Sequence, residues 1–140
     1  MTLVVKALFF DVFGTLVDWR TSIAREARAL LEPRGHTLDW FAFADAWRGE
    51  YQGAMEEVRA GRIGFSKLDV LHRRNLDLIL PRFGLAALAE HDRRALNFAW
   101  HRLDARALCG GWPAPSQTAL LARAGLERQY LPDGRSRAPQ

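Results

Sequence analysis

Residues 3–10, "LVVKALFF", form an almost unbroken apolar run that ends on Asp11. Its β-favouring residues and weak alternation predict a strand buried on both faces, as in a parallel sheet. Such a strand constrains the rest of the chain, because its N–H and C=O groups must be paired on both edges. The sequence that follows offers no second convincing strand and reads as helices. "RTSIAREARALLEPRG" carries Ile23, Ala27, Leu30 and Leu31 on one stripe and stops at Pro33 and Gly35. Asp39 is placed to cap one long helix over "WFAFADAWRGEYQGAMEEVRAG". Ser66 is placed to cap "KLDVLHRRNLDLIL", which ends before Pro81, and "AEHDRRALNFAWHRL" (residues 89–103) supplies a fourth helix.

One strand and four helices describe the start of an α/β domain plus a helical insertion, a fragment of a larger domain. Residues 1–18 hold the strand and the loop after it, residues 19–104 the helices, and residues 105–140 an atypical tail rich in Gly, Pro and Arg. A lone strand has no sheet to join. The 140-residue chain is therefore expected to be poorly stable by itself, prone to aggregate and essentially inactive.

Apolar residues make up 49% of the chain, enough for a real core. No apolar run approaches a membrane span, and the N-terminal run is too short for a secretory signal. A cytoplasmic protein without membrane partners is the expectation. Cys109 is the single cysteine, which excludes a disulfide framework and a zinc cluster. The sequence pI of about 10.0 invites a nucleic-acid reading. Residues 1–104, however, carry 15 Lys+Arg against 14 Asp+Glu, and residues 105–140 carry 5 against 2. The bulk of the chain is near neutral with mixed signs, so nucleic acid is discounted as a partner. His36, His72, His91 and His101 lack ligand spacing and read as surface or helix histidines, so no metal site is expected.

Asp11 stands where a parallel strand ends, the side on which open α/β sheets place their ligands. In the loop "VFGT", Gly14 lets the backbone approach a ligand closely, and the turn amides can cradle an anion. A carboxylate presented there can act as a nucleophile whose ester water later cleaves. The plainer alternative is an aspartate that caps a turn.

"FFDVFGTLVDWR" resembles the first motif of the haloacid dehalogenase superfamily, and closely that of its (S)-2-haloacid dehalogenases. The resemblance extends over residues 3–104 and implies an α/β, Rossmann-like core with a helical cap, of which only the first core strand and loop are present. It implies hydrolytic dehalogenation of short 2-haloacids through an aspartyl ester on Asp11, with release of halide and no cofactor or metal. The superfamily's phosphatases place a second Asp two residues after the nucleophile to protonate the leaving alkoxide. Phe13 holds that position here and cannot donate a proton, whereas halide leaves without one.

"DAWRGEYQGAMEEVRAGR" resembles the cap segment that carries the substrate-facing arginine, which matches Arg48 in Trp47-Arg48-x-x-Tyr51. A guanidinium can hold a halide or a carboxylate and stays charged at every working pH. Without the resemblance, Arg48 would read as a solvated helix arginine, one of eighteen in the chain. Thr15 is placed to hydrogen-bond Asp11 or the ligand, and Phe13 and Trp19 to wall an apolar pocket, although a turn Thr and core aromatics are common. The resemblance further implies a homodimer for the full-length family. Two rival readings are a phosphatase of the same superfamily and a non-catalytic helical module or pseudogene product.

The superfamily's remaining motifs, a Ser/Thr with neighbouring asparagines, a lysine and an acidic site, are not present after residue 104. Codons shifted by one nucleotide recover one of them. With permitted codon choices, Leu126 to Gly134 becomes Ser-Asn-Gly-Asn-Ile-Ser-Arg-Met, the second motif and its continuation. The tail from about Ala105 is therefore expected to be an out-of-frame translation, which the nucleotide sequence of the gene decides.

Overall fold

The computed structural model describes residues 11–106. The strand expected over residues 3–10 and nearly all of the tail proposed as out-of-frame lie outside the described residues. The chain divides into two compact units, Met1–Val17 with Asp104–Gln140, and Asp18–Leu103.

In the first unit the residues after Asp11 close into a tight turn. The N–H groups of Leu16 and Val17 both donate to the Val12 carbonyl, at 2.9 and 3.1 Å, and that of Gly14 donates to the Val17 carbonyl at 3.0 Å. Gly14 has φ of 98°, a left-handed conformation that residues with a Cβ rarely adopt. Arg106 N–H donates to the Leu16 carbonyl at 2.8 Å. Val17–Asp18 (β1) and Asp104–Ala105 (β2) form a two-stranded sheet.

The second unit is helical. Asp18 caps α1 (Trp19–Leu31) by accepting from the Thr21 N–H, and the buried Ser22 hydroxyl donates to the Asp18 carbonyl at 2.6 Å. Ile23, Ala27 and Leu31 are fully buried, as the stripe predicts, while Leu30 is half-buried and Ser22 and Ala24 share the inner face. Pro33 lies in a short 3-10 turn, and Gly35 ends it at φ 84°. Asp39 caps α2 (Trp40–Gly49) by accepting from the N–H groups of Phe41 and Ala42.

The single long helix expected after Asp39 is broken. α2 stops at Gly49 and α3 (Tyr51–Arg59) restarts beyond Glu50. Glycine is among the weakest helix residues, and Arg82 holds the Glu50 carboxylate at 2.8 Å. Apolar periodicity does not register so short an interruption. Ser66 does not cap α4 (Leu68–Ile79) either. Lys67 holds the cap position without a side-chain bond, and the Ser66 hydroxyl donates to the Gly64 carbonyl at 3.1 Å. α5 (Glu90–Asn97) tightens into a 3-10 turn over Phe98–His101 rather than running on to residue 103. Polar contacts tie the end of α5 and that turn to α4: the Asn97 amide donates to the Asp69 carbonyl at 3.0 Å, and the His101 ring meets the Asp69 carboxylate at 2.9 Å.

α1, α2, α4 and α5 enclose a core in which Phe43, Trp47, Leu71, Leu76, Ile79 and Leu96 are fully buried. His72 is a helix histidine, as expected, but it is buried in this core with 3% exposure. Outside the core, Arg73 grips the Glu90 carboxylate at 2.6 and 2.7 Å and Asp77 at 3.0 Å, while Arg93 takes the other Asp77 oxygen at 2.8 Å. This network fixes α5 on α4, although its solvent-exposed pairs add only modestly to stability.

Leu76→Ala should lower unfolding free energy by about 2–5 kcal/mol, whereas Leu78→Ala, at a residue 50% exposed, should change it by only about 0.5 kcal/mol. Denaturant titration followed by helical circular dichroism checks both. A pH dependence follows from His72. Burial, then the charges of Arg48 and His101, push its imidazole down from 6.5 to about 3. Between those values the unfolded chain binds a proton that the native state refuses, so stability falls as pH falls, by up to about 1.4 kcal/mol per pH unit. Glu90, held down to about 2 by hydrogen bonds from Arg73 and Arg94, adds its own loss only as pH drops below its ordinary 4.5. Between pH 6.5 and 4.5, His72→Phe should therefore flatten the pH dependence of unfolding free energy. Parallel slopes in the two proteins would contradict it.

Candidate active site

The residues singled out in the sequence fall into two groups. Asp11, Phe13 and Thr15 belong to the first unit, and Trp19 and Arg48 to the second. In the first group the turn brings the Thr15 side chain back over four residues, and its hydroxyl donates to Asp11 Oδ2 at 2.6 Å. Both residues are exposed. A hydrogen bond to an ionised carboxylate is strong and directional. It fixes the orientation of the carboxyl group through Oδ2. Phe13 is half-buried between them in sequence and supplies an apolar face without a titratable proton.

In the second unit, Arg48 lies in the last turn of α2, where a cation complements the helix dipole. Its guanidinium carbon sits 4.1 Å from the Tyr51 ring centroid and 5.9 Å from that of Trp19. A guanidinium over an aromatic face is stabilised by the ring quadrupole, by about 0.5–2 kcal/mol according to desolvation. The rings that carry it are themselves linked. Tyr51 stacks toward His72 at 6.4 Å, His72 lies face to face on Trp100 at 4.1 Å and 6°, and Trp100 stacks toward Trp19 at 6.5 Å. Trp47 braces this arrangement edge-on against Trp100, and its indole N–H donates to the His72 carbonyl at 2.8 Å.

The sequence points to Arg48 and Trp19 in this group, but not to His72 or Trp100. His72 looks like one more polar residue of an amphipathic helix, and Trp100 sits in a stretch read as plain helix. Only tertiary packing brings residues 19, 48, 51, 72 and 100 together. Spacing hints at one contact alone, since Arg48 and Tyr51 are three apart. Among the described residues, no group of three or more His, Cys, Asp or Glu side chains is arranged to hold a metal ion. No helix among them is long and apolar enough to cross a membrane.

No protein-family model matches the chain, and no curated protein does. Solved structures do match. The defluorinating L-2-haloacid dehalogenase Rha0230 is 33% identical, with a TM-score of 0.65, over 86% of this chain and 46% of its own. The L-2-haloacid dehalogenase PA0810 is 42% identical, with a TM-score of 0.63, over 69% of this chain and 41% of its own. The chain thus spans less than half the length of these proteins. The mostly helical structure with its two-stranded sheet corresponds to a fragment of a haloacid-dehalogenase-like α/β domain. In both sequence and fold, the chain matches a portion of the L-2-haloacid dehalogenases, within the haloacid dehalogenase superfamily.

Proposed function

We propose that this chain carries the nucleophile loop and the cap of an enzyme that hydrolyses short 2-haloacids. The observation that carries the reading is Asp11, oriented by the Thr15 hydroxyl and followed at position 13 by an apolar ring. Similarity to two L-2-haloacid dehalogenases, one of them described as defluorinating, supports it.

In the proposed reaction, Asp11 Oδ1 attacks C2 of the 2-haloacid in line with the carbon–halogen bond. The C–O bond forms as the C–X bond breaks, halide departs with the bonding pair, and configuration at C2 inverts. Arg48, set on its aromatic rings, receives the halide or holds the substrate carboxylate. Water then attacks the ester at Asp11 Cγ; one of its protons passes to solvent and the other to the departing alkoxide oxygen. The 2-hydroxyacid leaves, and the Asp11 carboxylate is restored. Phe13 fits this scheme and not a phosphatase, because a halide needs no proton to leave whereas an alkoxide does.

The same reading makes the 140-residue chain inactive. After Lys67 the sequence contains no lysine to steady Asp11, and the proposed frame change near Ala105 accounts for that loss. The alternative of a non-catalytic helical module is favoured by one observation, the self-contained core of Asp18–Leu103. A cooperative thermal transition without turnover, and a gene whose shifted frame encodes no further dehalogenase sequence, would support that module.

The test uses protein read through in the shifted frame. It should release chloride from 2-chloropropionate, Asp11→Asn should abolish release, and Thr15→Val should slow it about 10–100-fold, as expected for losing one charge-assisted hydrogen bond. The 140-residue chain should release none. Chloride release by the short chain that depends on Asp11 would refute the claim of inactivity, and turnover that survives Asp11→Asn would refute the proposal.

A further inference from the structure

The contacts around Arg48 close on themselves. From the guanidinium they run to Tyr51, to His72, to Trp100, to Trp19 and back to Arg48, through residues drawn from α3, α4, the final 3-10 turn, α1 and α2. All five lie in the helical unit. Within this cycle the closest and most nearly parallel ring–ring contact is that of His72 on Trp100, 4.1 Å apart at 6°. It is also the most deeply buried, since both residues belong to the core while Trp19, Arg48 and Tyr51 are half-buried.

We infer that His72 is a positioning residue for Arg48: its buried ring, clamped on Trp100, spaces the two aromatic faces on which the guanidinium rests. This inference rests on the reading of Arg48 as the anion-holding group and adds a residue that acts through it. Three physical points support it. A guanidinium stacks by its face and donates in its plane, so the ring beneath sets the plane in which donors lie. A misplacement of about 1 Å in that plane is felt by an ion held in a shaped site. A neutral ring is required, because a second cation near Arg48 would repel it, and burial keeps His72 neutral. Trp47 fixes the backbone beneath the ring by its indole N–H bond to the His72 carbonyl, so the spacer is held from the α2 side as well.

Other side chains in the helical unit do not serve this purpose. Arg73, Asp77, Glu90 and Arg93 hold α4 to α5 as an exposed network. The apolar residues Phe65, Val70 and Phe98 are exposed, but nothing in the structure shows what would cover them.

The closing experiment compares the 140-residue chain with His72→Phe and His72→Leu. Both replacements fill the space and keep the core apolar, but only phenylalanine restores a ring face. Two readouts are taken by nuclear magnetic resonance: the Arg48 side-chain shifts, which the currents of Tyr51 and Trp19 displace, and their change on titration with sodium bromide. The expected result is displaced Arg48 shifts in the parent and in His72→Phe, and their collapse toward ordinary arginine values in His72→Leu. Bromide affinity should fall about tenfold in His72→Leu and stay within about twofold in His72→Phe. Unchanged Arg48 shifts in His72→Leu, or failure of His72→Phe to keep them, would overturn the inference. If bromide moves no Arg48 signal in the parent, the halide role of Arg48 fails, and the shift comparison alone decides whether His72 positions it.

Discussion

The helical unit is organised around a buried face-to-face stack of His72 on Trp100. A flat, neutral imidazole against an indole removes much apolar surface from water, and it does so at the point where α4 meets the last 3-10 turn. Trp47 closes the stack edge-on and spends its one N–H on the His72 carbonyl. α1 enters the arrangement through Trp19, the first residue after the Asp18 cap. Displacing either ring would loosen four elements together, and with them the seat of Arg48.

The two halves of the candidate chemistry have opposite physical character. Asp11 is an exposed carboxylate held by a single short bond from Thr15 on a turn that needs glycine at position 14. Arg48 is a half-buried cation seated on aromatic faces in a packed helical unit. In the proposed displacement at carbon, an attacking oxygen must be accessible and aimed, whereas a group that receives a small anion gains strength from an apolar, poorly hydrated setting. Phe13 follows Asp11 by two residues, and the Trp19 ring lies 5.9 Å from the Arg48 guanidinium carbon.

How much of this was legible beforehand depended on how local the cause was. Asp39 as a cap, the buried stripe of Ile23, Ala27 and Leu31, and the stop at Pro33 and Gly35 follow from spacing within one turn or two, and the structure has them. The break at Glu50 was not legible, because Arg82 lies thirty-two positions away and holds that carboxylate from another element. Ser66 had the right side chain for a cap but found the Gly64 carbonyl instead. The Thr15–Asp11 bond lies within four residues and could be anticipated, whereas the ring cycle joins residues up to eighty-one positions apart and could not. Resemblance to a family singles out Arg48; only packing discloses what holds it.

The proposed reaction depends on Asp11 supplying the oxygen of the new carbon–oxygen bond. A single turnover by the complete, frame-restored protein in water enriched in heavy oxygen tests this most directly. With enzyme in excess over 2-chloropropionate, mass spectrometry of the peptide containing Asp11 should find the isotope in that carboxylate, and the first 2-hydroxypropionate released should carry ordinary oxygen. Heavy oxygen found in the product and absent from Asp11 would mean that water attacks carbon itself, and the account would fail.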